Sequence, residues 1–202
     1  MKNICFGVFI FTFLLFSSTF VFAGSFTDLP ENHWSYWYVE DLVSRGIING
    51  YKDGTFRPSN QITRGEFLKL LISSYDENNN IKSSASGEEH WAKPYFDEAI
   101  NNGYMYIENK GRDLDEKINR LEVVMVLEPF CQKYKISNPE KTQVPNFNDT
   151  SNLGDLEIEK LNYLVENGLL KGYDENLFKP YNTITRAEIA TILFRLRELN
   201  KN

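Results

Sequence analysis

Hydrophobic positions along the chain fall into helical stripes separated by short loops rich in glycine and proline. Trp34, Trp37, Tyr38, Leu42 and Val43 lie near i, i+3, i+4, i+8 and i+9, the spacing of an amphipathic helix, and Gly46 behind them is a natural left-handed cap that ends it. A loop with Gly50, Asp53, Gly54 and Pro58 follows, and Phe67, Leu68, Leu71, Ile72 and Tyr75 then mark one face of a second helix. Ile189, Ile192, Leu193 and Leu196 repeat that face near the far end, and Val123 to Phe130 is another apolar helical run. Each unit reads as helix, loop, helix.

The pattern recurs at fixed spacing. Phe26-Thr-Asp28 aligns with Phe147-Asn-Asp149, Gly46-Ile-Ile-Asn-Gly50-Tyr51 with Gly168-Leu-Leu-Lys-Gly172-Tyr173, and Ile62-Thr-Arg-Gly-Glu66 with Ile184-Thr-Arg-Ala-Glu188, at offsets of 121, 122 and 122 residues. A third copy lies between them, with His90-Trp91, Gly103-Tyr104 and Ile118-Asn-Arg-Leu-Glu122 at offsets of 57, 57 and 56 from the first. Regular spacing of this kind marks internal repeats. The division is a leader at 1–23, repeats at 24–76, 89–134 and 147–202, and polar linkers at 77–88 and 135–146. The fold expected is mainly all-α, with three repeats in one module.

The leader has Lys2 as a minimal basic region, an apolar run from Ile4 to Phe16, and Val21-Phe22-Ala23 as a cleavage pattern, which reads as an export signal. A retained membrane anchor is the competing reading, because Ile4 to Phe22 approaches the length of a span. Ser17, Ser18 and Thr19 interrupt that stretch and favour removal. Cleavage of 23 residues from 202 leaves 179, with Cys131 as the one remaining cysteine. An intrachain disulfide is then impossible, and the apolar run ahead of Cys131 suggests buried packing.

Charge narrows the function. The chain carries 22 Lys and Arg against 28 Asp and Glu, a formal charge of −6. An acidic chain without a basic run lacks the phosphate-neutralising side chains of a nucleic-acid binder. A hydrophobic content of 42% and an aromatic content of 14% are enough to form a core.

The start of each second helix carries the most chemistry. Thr63 with Glu66 and Thr185 with Glu188 fit the capping box, and Asn119 with Glu122 is the same device with Asn as N-cap. The caps place Arg64, Arg120 and Arg186 at the first helical position, where the helix dipole disfavours a cation. Two readings follow. Each arginine and its free helix N–H groups could receive an anion, a carboxylate above all, or each could pair with an acidic side chain such as Asp53 and staple the loop.

These residues carry a resemblance. Phe26-Thr-Asp28, Trp34, the run from Gly46 to Pro58 and Ile62-Thr-Arg-Gly-Glu66 resemble a surface-layer homology (SLH) repeat, and the third copy does so nearly as well. The resemblance implies a pseudo-threefold module whose inter-repeat grooves hold secondary cell-wall polysaccharide, usually through a pyruvylated N-acetylmannosamine unit, with the motif arginine important for binding. It implies a non-catalytic wall-anchoring role, at a bacterial cell surface, without a cofactor. The ligand-binding residues expected are Arg64, Arg186, Arg120, Asp53, Gly50, Tyr51, Trp34, Trp91, Gly172, Tyr173 and Asp174. Gly50 and Gly172 are expected to serve turn geometry and close ligand approach, and Trp34 and Trp91 to divide between core packing and sugar stacking, with packing favoured.

Some positions depart from the family pattern. Repeat two replaces the usual loop with Tyr104 to Asp115, repeat three has Leu156 at the Trp position, and repeat one has Gly65 where alanine is usual. Fewer than three competent grooves are expected, with Arg64 and Arg186 favoured. The alternatives are a structural surface-layer component or a tether for another envelope protein, and a wall glycan hydrolase using paired carboxylates. A calcium loop at 49–60 is unsupported, because Tyr51 and Asn60 stand where oxygen ligands and a bidentate Glu are required, and His33 and His90 with one cysteine make no convincing zinc set.

Overall fold

The computed structural model describes residues 26–75, 81, 89–105 and 113–201. The leader at 1–23, the linker at 77–88 except Ile81, and residues 106–112 of the divergent repeat-two loop lie outside the described residues. Among the described residues there are six α-helices: α1 (Tyr36–Ser44), α2 (Arg64–Tyr75), α3 (Lys93–Asn101), α4 (Arg120–Tyr134), α5 (Asp155–Glu166) and α6 (Arg186–Leu199). A 3-10 turn spans Asp174–Asn176. Among the described residues, β pairing is confined to isolated bridges. The architecture is the all-α, three-repeat module that the sequence predicts.

The first helix of each repeat ends in the same way. Gly46, Gly103 and Gly168 have φ of 70°, 77° and 71°, and the next residue donates its N–H back across the turn, from Ile47 to Leu42 at 2.9 Å, Tyr104 to Ala99 at 2.8 Å and Leu169 to Leu164 at 3.0 Å. This is the Schellman closure, which glycine permits at no steric cost.

The helices pair between repeats, α2 with α3, α4 with α5 and α6 with α1, which closes a ring. At its centre Ile62, Ile118 and Ile184 are buried, and their backbones hydrogen-bond cyclically. Ile62 N–H donates to Ile184, Ile184 to Ile118 and Ile118 to Ile62, at 3.2, 3.2 and 3.1 Å. These bonds define the pseudo-threefold axis. Each buried apolar side chain contributes roughly 1.5–3 kcal/mol relative to exposure.

The sequence placed Trp34 and Trp37 on the buried stripe of the first helix, and this needs correction. Helix α1 starts two residues after Trp34 and buries Tyr36, Val39 and Leu42, while Trp34 and Trp37 are 57% and 73% exposed. The N-terminus is set by a local turn in which Nδ1 of His33 accepts the Ser35 N–H at 3.2 Å; Trp34 lies in that turn, ahead of the helix, and the helical phase counted from there turns Trp37 outward. His90 repeats the device, accepting from Ala92 at 3.1 Å.

The segment at 135–146 is also fixed more firmly than its polarity suggests. Thr142 N–H donates to Glu166 at 2.8 Å, and the Asn167 carboxamide accepts from Asn138 N–H at 2.7 Å and from Lys141 Nζ at 2.6 Å. Cys131 is buried and unbridged, and burial pushes its thiol well above the ordinary range.

Candidate functional site: three inter-repeat grooves

Both halves of each helix-start box form. Thr63 N–H donates to Glu66 and Glu66 N–H to Thr63, at 2.8 and 3.1 Å. The pairs for Asn119 and Glu122 measure 3.0 and 2.8 Å, and those for Thr185 and Glu188 measure 2.9 and 3.3 Å. The first two helix N–H groups are occupied as well. Arg64 and Gly65 donate to the carbonyls of Glu116 and Leu114, Arg120 and Leu121 to those of Asn182 and Pro180, and Arg186 and Ala187 to those of Asn60 and Pro58, all at 2.8–3.0 Å. The free N–H groups expected to receive an anion are therefore spent on the neighbouring repeat.

Arginine suits this position because its side chain continues the same reach. Arg120 donates through Nε to Phe178 O at 2.8 Å and through Nη2 to Lys171 O at 2.9 Å. Arg186 does likewise to Phe56 O at 2.9 Å and Asn49 O at 3.0 Å. The fixed guanidinium fork spans two carbonyls of one loop, which a lysine cannot copy. Arg120 is 4% exposed, and burial pushes its guanidinium below the ordinary value, against the opposing influence of Tyr173 and Glu188. Arg64 differs in donating to Asp113 O at 3.0 Å and pairing with two carboxylates, Glu122 at 2.9 Å and Glu116.

Each arginine thus serves the loop of the next repeat. Arg186 serves the loop of repeat one and Arg120 that of repeat three, the two that keep the family pattern, whereas Arg64 faces the divergent loop of repeat two. Stapling by Asp53 is corrected too. Asp53 accepts from Thr55 Oγ1 at 2.6 Å, Arg57 Nη2 at 2.8 Å and Thr55 N–H at 3.0 Å, and these bonds, in that order of cause with Thr55 first, lower its carboxyl to about 2.

The loop aromatics flank the arginines. Tyr51 has the Arg57 guanidinium 3.9 Å and that of Arg186 5.0 Å from its ring centre. Tyr173 has the Arg120 guanidinium and the Lys179 ammonium each 4.6 Å away. The Tyr173 hydroxyl donates to Glu188, and burial, followed by that bond, pushes it up to about 12. Asp174 is exposed on the 3-10 turn.

Gly50 and Gly172 answer to internal packing. Neither has the positive φ of a turn glycine. A Cβ at Gly50 would stand 2.0 Å from Phe26 Cε1, and one at Gly172 would stand 2.3 Å from Phe147 Cε1. The aspartate two residues after each phenylalanine holds the far side of the loop. Asp28 accepts from the N–H groups of Phe56 and Arg57 at 2.7 and 2.8 Å, and Asp149 from Phe178 and Lys179 at 2.8 and 2.7 Å. Arg57 and Lys179 are in left-handed geometry, with φ of 58° and 57°. The two aspartates were visible in the repeat alignment, but their job was not.

The grooves at Trp34 and at Arg64 each draw on all three repeats. Trp34 of repeat one lines a cavity of about 330 Å³ with Tyr173, Lys179, Ala187 and Glu188 of repeat three. It also lines an adjoining cavity of about 200 Å³ that reaches Arg120 and Arg195. Trp91 lies against Gly65 in the symmetry-related place, its Cζ2 3.4 Å from where a Cβ would be. In the third groove the Trp position is Leu156, 51% exposed, and Leu121 stands where the others have Gly65 and Ala187. Its pocket of about 250 Å³ is mostly apolar, with Arg64, Glu122 and Glu157 at its polar edge. The departures in repeats two and three thus meet in one groove.

Among the described residues no helix is long and apolar enough to cross a membrane. A family model described as S-layer homology domain matches residues 25–68 and 146–190. The chain is 28% identical over 185 residues to Exoglucanase XynX of Acetivibrio thermocellus, covering 88% of this chain and 17% of that protein. It is 28% identical over 173 residues to an S-layer protein of Bacillus thuringiensis subsp. finitimus, covering 84% and 21%. A cellulosome-anchoring protein of Acetivibrio thermocellus is 30% identical over 88 residues, covering 40% and 20%. The chain spans about a fifth of the length of these relatives or less. The chain thus carries the S-layer homology domain at its first and third repeats, which the structure closes with the middle repeat into one three-unit ring.

Proposed function

We propose that the chain is a non-catalytic module that anchors at a bacterial cell surface by holding secondary cell-wall polysaccharide, with a pyruvylated N-acetylmannosamine unit as the ligand. The observation that carries this reading is the convergence of an arginine, a loop tyrosine and an indole from three repeats on the Trp34 groove, with Arg186 and Tyr51 paired in the same way beside the repeat that carries Trp91. A pyruvyl ketal keeps a free carboxylate, for which a guanidinium is the fitting partner, and an exposed indole such as Trp34 offers an apolar platform to a sugar face. The names of the relatives, an S-layer protein and a cellulosome-anchoring protein, support a surface-anchoring role. The exoglucanase is matched over 17% of its length, so its name carries no activity to this chain.

In this reading Arg120 with Tyr173 and Trp34 forms one site, and Arg186 with Tyr51, Asp53 and Trp91 forms the other. Arg64 is the weakest of the three, since Glu116 and Glu122 already neutralise it. The test is sedimentation with purified pyruvylated wall polysaccharide. Arg120→Ala and Arg186→Ala are each expected to weaken binding at least about tenfold and their combination to abolish it, while Arg64→Ala stays within about twofold. Circular dichroism checks folding, and Arg120→Lys, which keeps the charge without the fork, is included for that site. Undiminished binding by the folded double variant would falsify the reading.

A further inference from the structure

The two grooves hold their outer basic groups differently. At the Trp91 groove each such group has a carboxylate nearby: Arg57 is 2.8 Å from Asp53, and His90 Nε2, buried and without a well-formed hydrogen bond, is 3.2 Å from Asp115 Oδ1. At the Trp34 groove neither counterpart does. Lys179 stands at the position of Arg57 and makes no ion pair among the described residues, its ammonium lying over Tyr173. Glu175, the counterpart of Asp53, sits in a left-handed turn at φ 62°. His33 is the counterpart of His90, and the place of Asp115 is taken by Ser59. That equivalence is fixed by the flanking carbonyls, since Pro58 and Asn60 accept from α6 as Leu114 and Glu116 accept from α2.

His33 and Lys179 line the same cavity, together with Trp34, Ser59, Tyr173 and Glu188. Because Nδ1 of His33 is turned to the Ser35 N–H, the neutral ring carries its proton on Nε2, the polar atom left for the cavity. The ring has a further freedom that His90 lacks. Ser35 Oγ lies 2.9 Å from Nδ1 and can accept its proton when the imidazole charges, whereas repeat two has Ala92 at that position.

We infer that the Trp34 groove reads the charged unit of the polymer, with His33 and Lys179 as specificity-determining contacts for a saccharide carboxylate. This rests on the glycan reading and adds two contacts that the Trp91 groove lacks in free form. The groups facing His33 are Trp34 and Ser35 from its own turn, Ser59 from the loop, and Tyr173, Lys179 and Glu188 from repeat three. Lys179 and Glu188 are the charged groups among them. A bound carboxylate favours the charged imidazole, so affinity for it increases as pH falls through the histidine range, while the carboxylate stays ionised.

The chain holds just two histidines, which makes ring NMR a direct readout. The probes are a mannosamine glycoside bearing a pyruvyl ketal and the methyl ester of the same compound. With the free acid, the His33 titration midpoint is expected to rise by about one pH unit while that of His90 stays in place. His33→Gln and Lys179→Gln should each cost about tenfold for the acid and little for the ester. Binding of the acid with His33 unmoved, or equal affinity for acid and ester, overturns the assignment and leaves the glycan reading standing. No binding of either compound by any resonance overturns the glycan reading and this inference with it.

Discussion

The groove at Arg64 and the grooves at Arg120 and Arg186 are built on one backbone plan and hold their arginines in opposite ways. Arg120 and Arg186 spend Nε and Nη2 on carbonyl oxygens of the next loop, which are neutral partners, and Arg120 has in addition one carboxylate, Glu188, at 3.7 Å from Nη1. Arg64 keeps one loop carbonyl, that of Asp113, and gives its other donors to two carboxylates, which offset its charge. A motif arginine therefore reports a site only when the partner across the repeat boundary is known. One hydrogen-bonding frame both stabilises the ring and leaves a cation in the groove, and replacing a carbonyl by a carboxylate keeps the first effect and removes the second.

The most severe way to break this comparison is to truncate the buried member. Arg120→Ala leaves the carbonyls of Lys171 and Phe178 without their partner in a site that is nearly closed, and should cost about 2–3 kcal/mol. Arg64→Ala, whose partners are the exposed Glu116 and the part-buried Glu122, should cost less than Arg120→Ala, about 1 kcal/mol. Urea unfolding followed by circular dichroism checks both, and equal losses would remove the distinction drawn between neutral and charged partners.

A smaller effect is expected at Gly65. A Cβ there would stand 2.8 Å from Ala92 Cβ and 3.2 Å from Leu114 O, so Gly65→Ala must push α3 and Trp91 away from α2. The expected cost is about 1–2 kcal/mol by overpacking, with a loss of glycan affinity confined to the Trp91 groove. Thermal unfolding and titration in the Arg120→Ala background measure the two parts. A stabilised variant would show that the missing methyl of repeat one is accidental.

The smallest effect concerns pH. The Asp53 carboxyl is lowered to about 2, first by the Thr55 hydroxyl and then by Arg57. A depressed carboxyl contributes above its unfolded value and loses that contribution as pH falls through the folded one. The loop around Tyr51 should therefore hold its Asp53 geometry down to about pH 3 and loosen near pH 2, as read from the Asp53 carboxyl resonance. A midpoint near 4 would mean that Thr55 and Arg57 are not bonded to it in solution.

Much of the ring could be read from residue order. The repeats, the capping boxes and the left-handed glycines announce themselves because they are local devices, in which each residue's role depends on partners within four or five positions. The same locality explains what was missed. Trp34 and Trp37 fit a helical stripe by spacing, but the phase of that stripe is set by where the turn at His33 and Ser35 starts the helix. Arg64 was favoured because its own repeat keeps the family loop, whereas its side chain reaches into the next one. That crossing depends on the ring closing, which no local pattern states. Gly50 and Gly172 looked like ligand contacts, and the ring that needs their bare Cα sits 24 or 25 residues upstream in Phe26 and Phe147.

The cyclic hydrogen bonds through Ile62, Ile118 and Ile184 have a mechanical consequence. An open stack of repeats can be peeled from its end, each unit giving way in turn, because only one interface is lost at a time. Here there is no end repeat. Removing any one unit opens two interfaces and strands a donor on one isoleucine and an acceptor on another, so a pull applied through either terminus is carried by all three boundaries together. The ring behaves as a clasp, which stays shut until the whole of it yields.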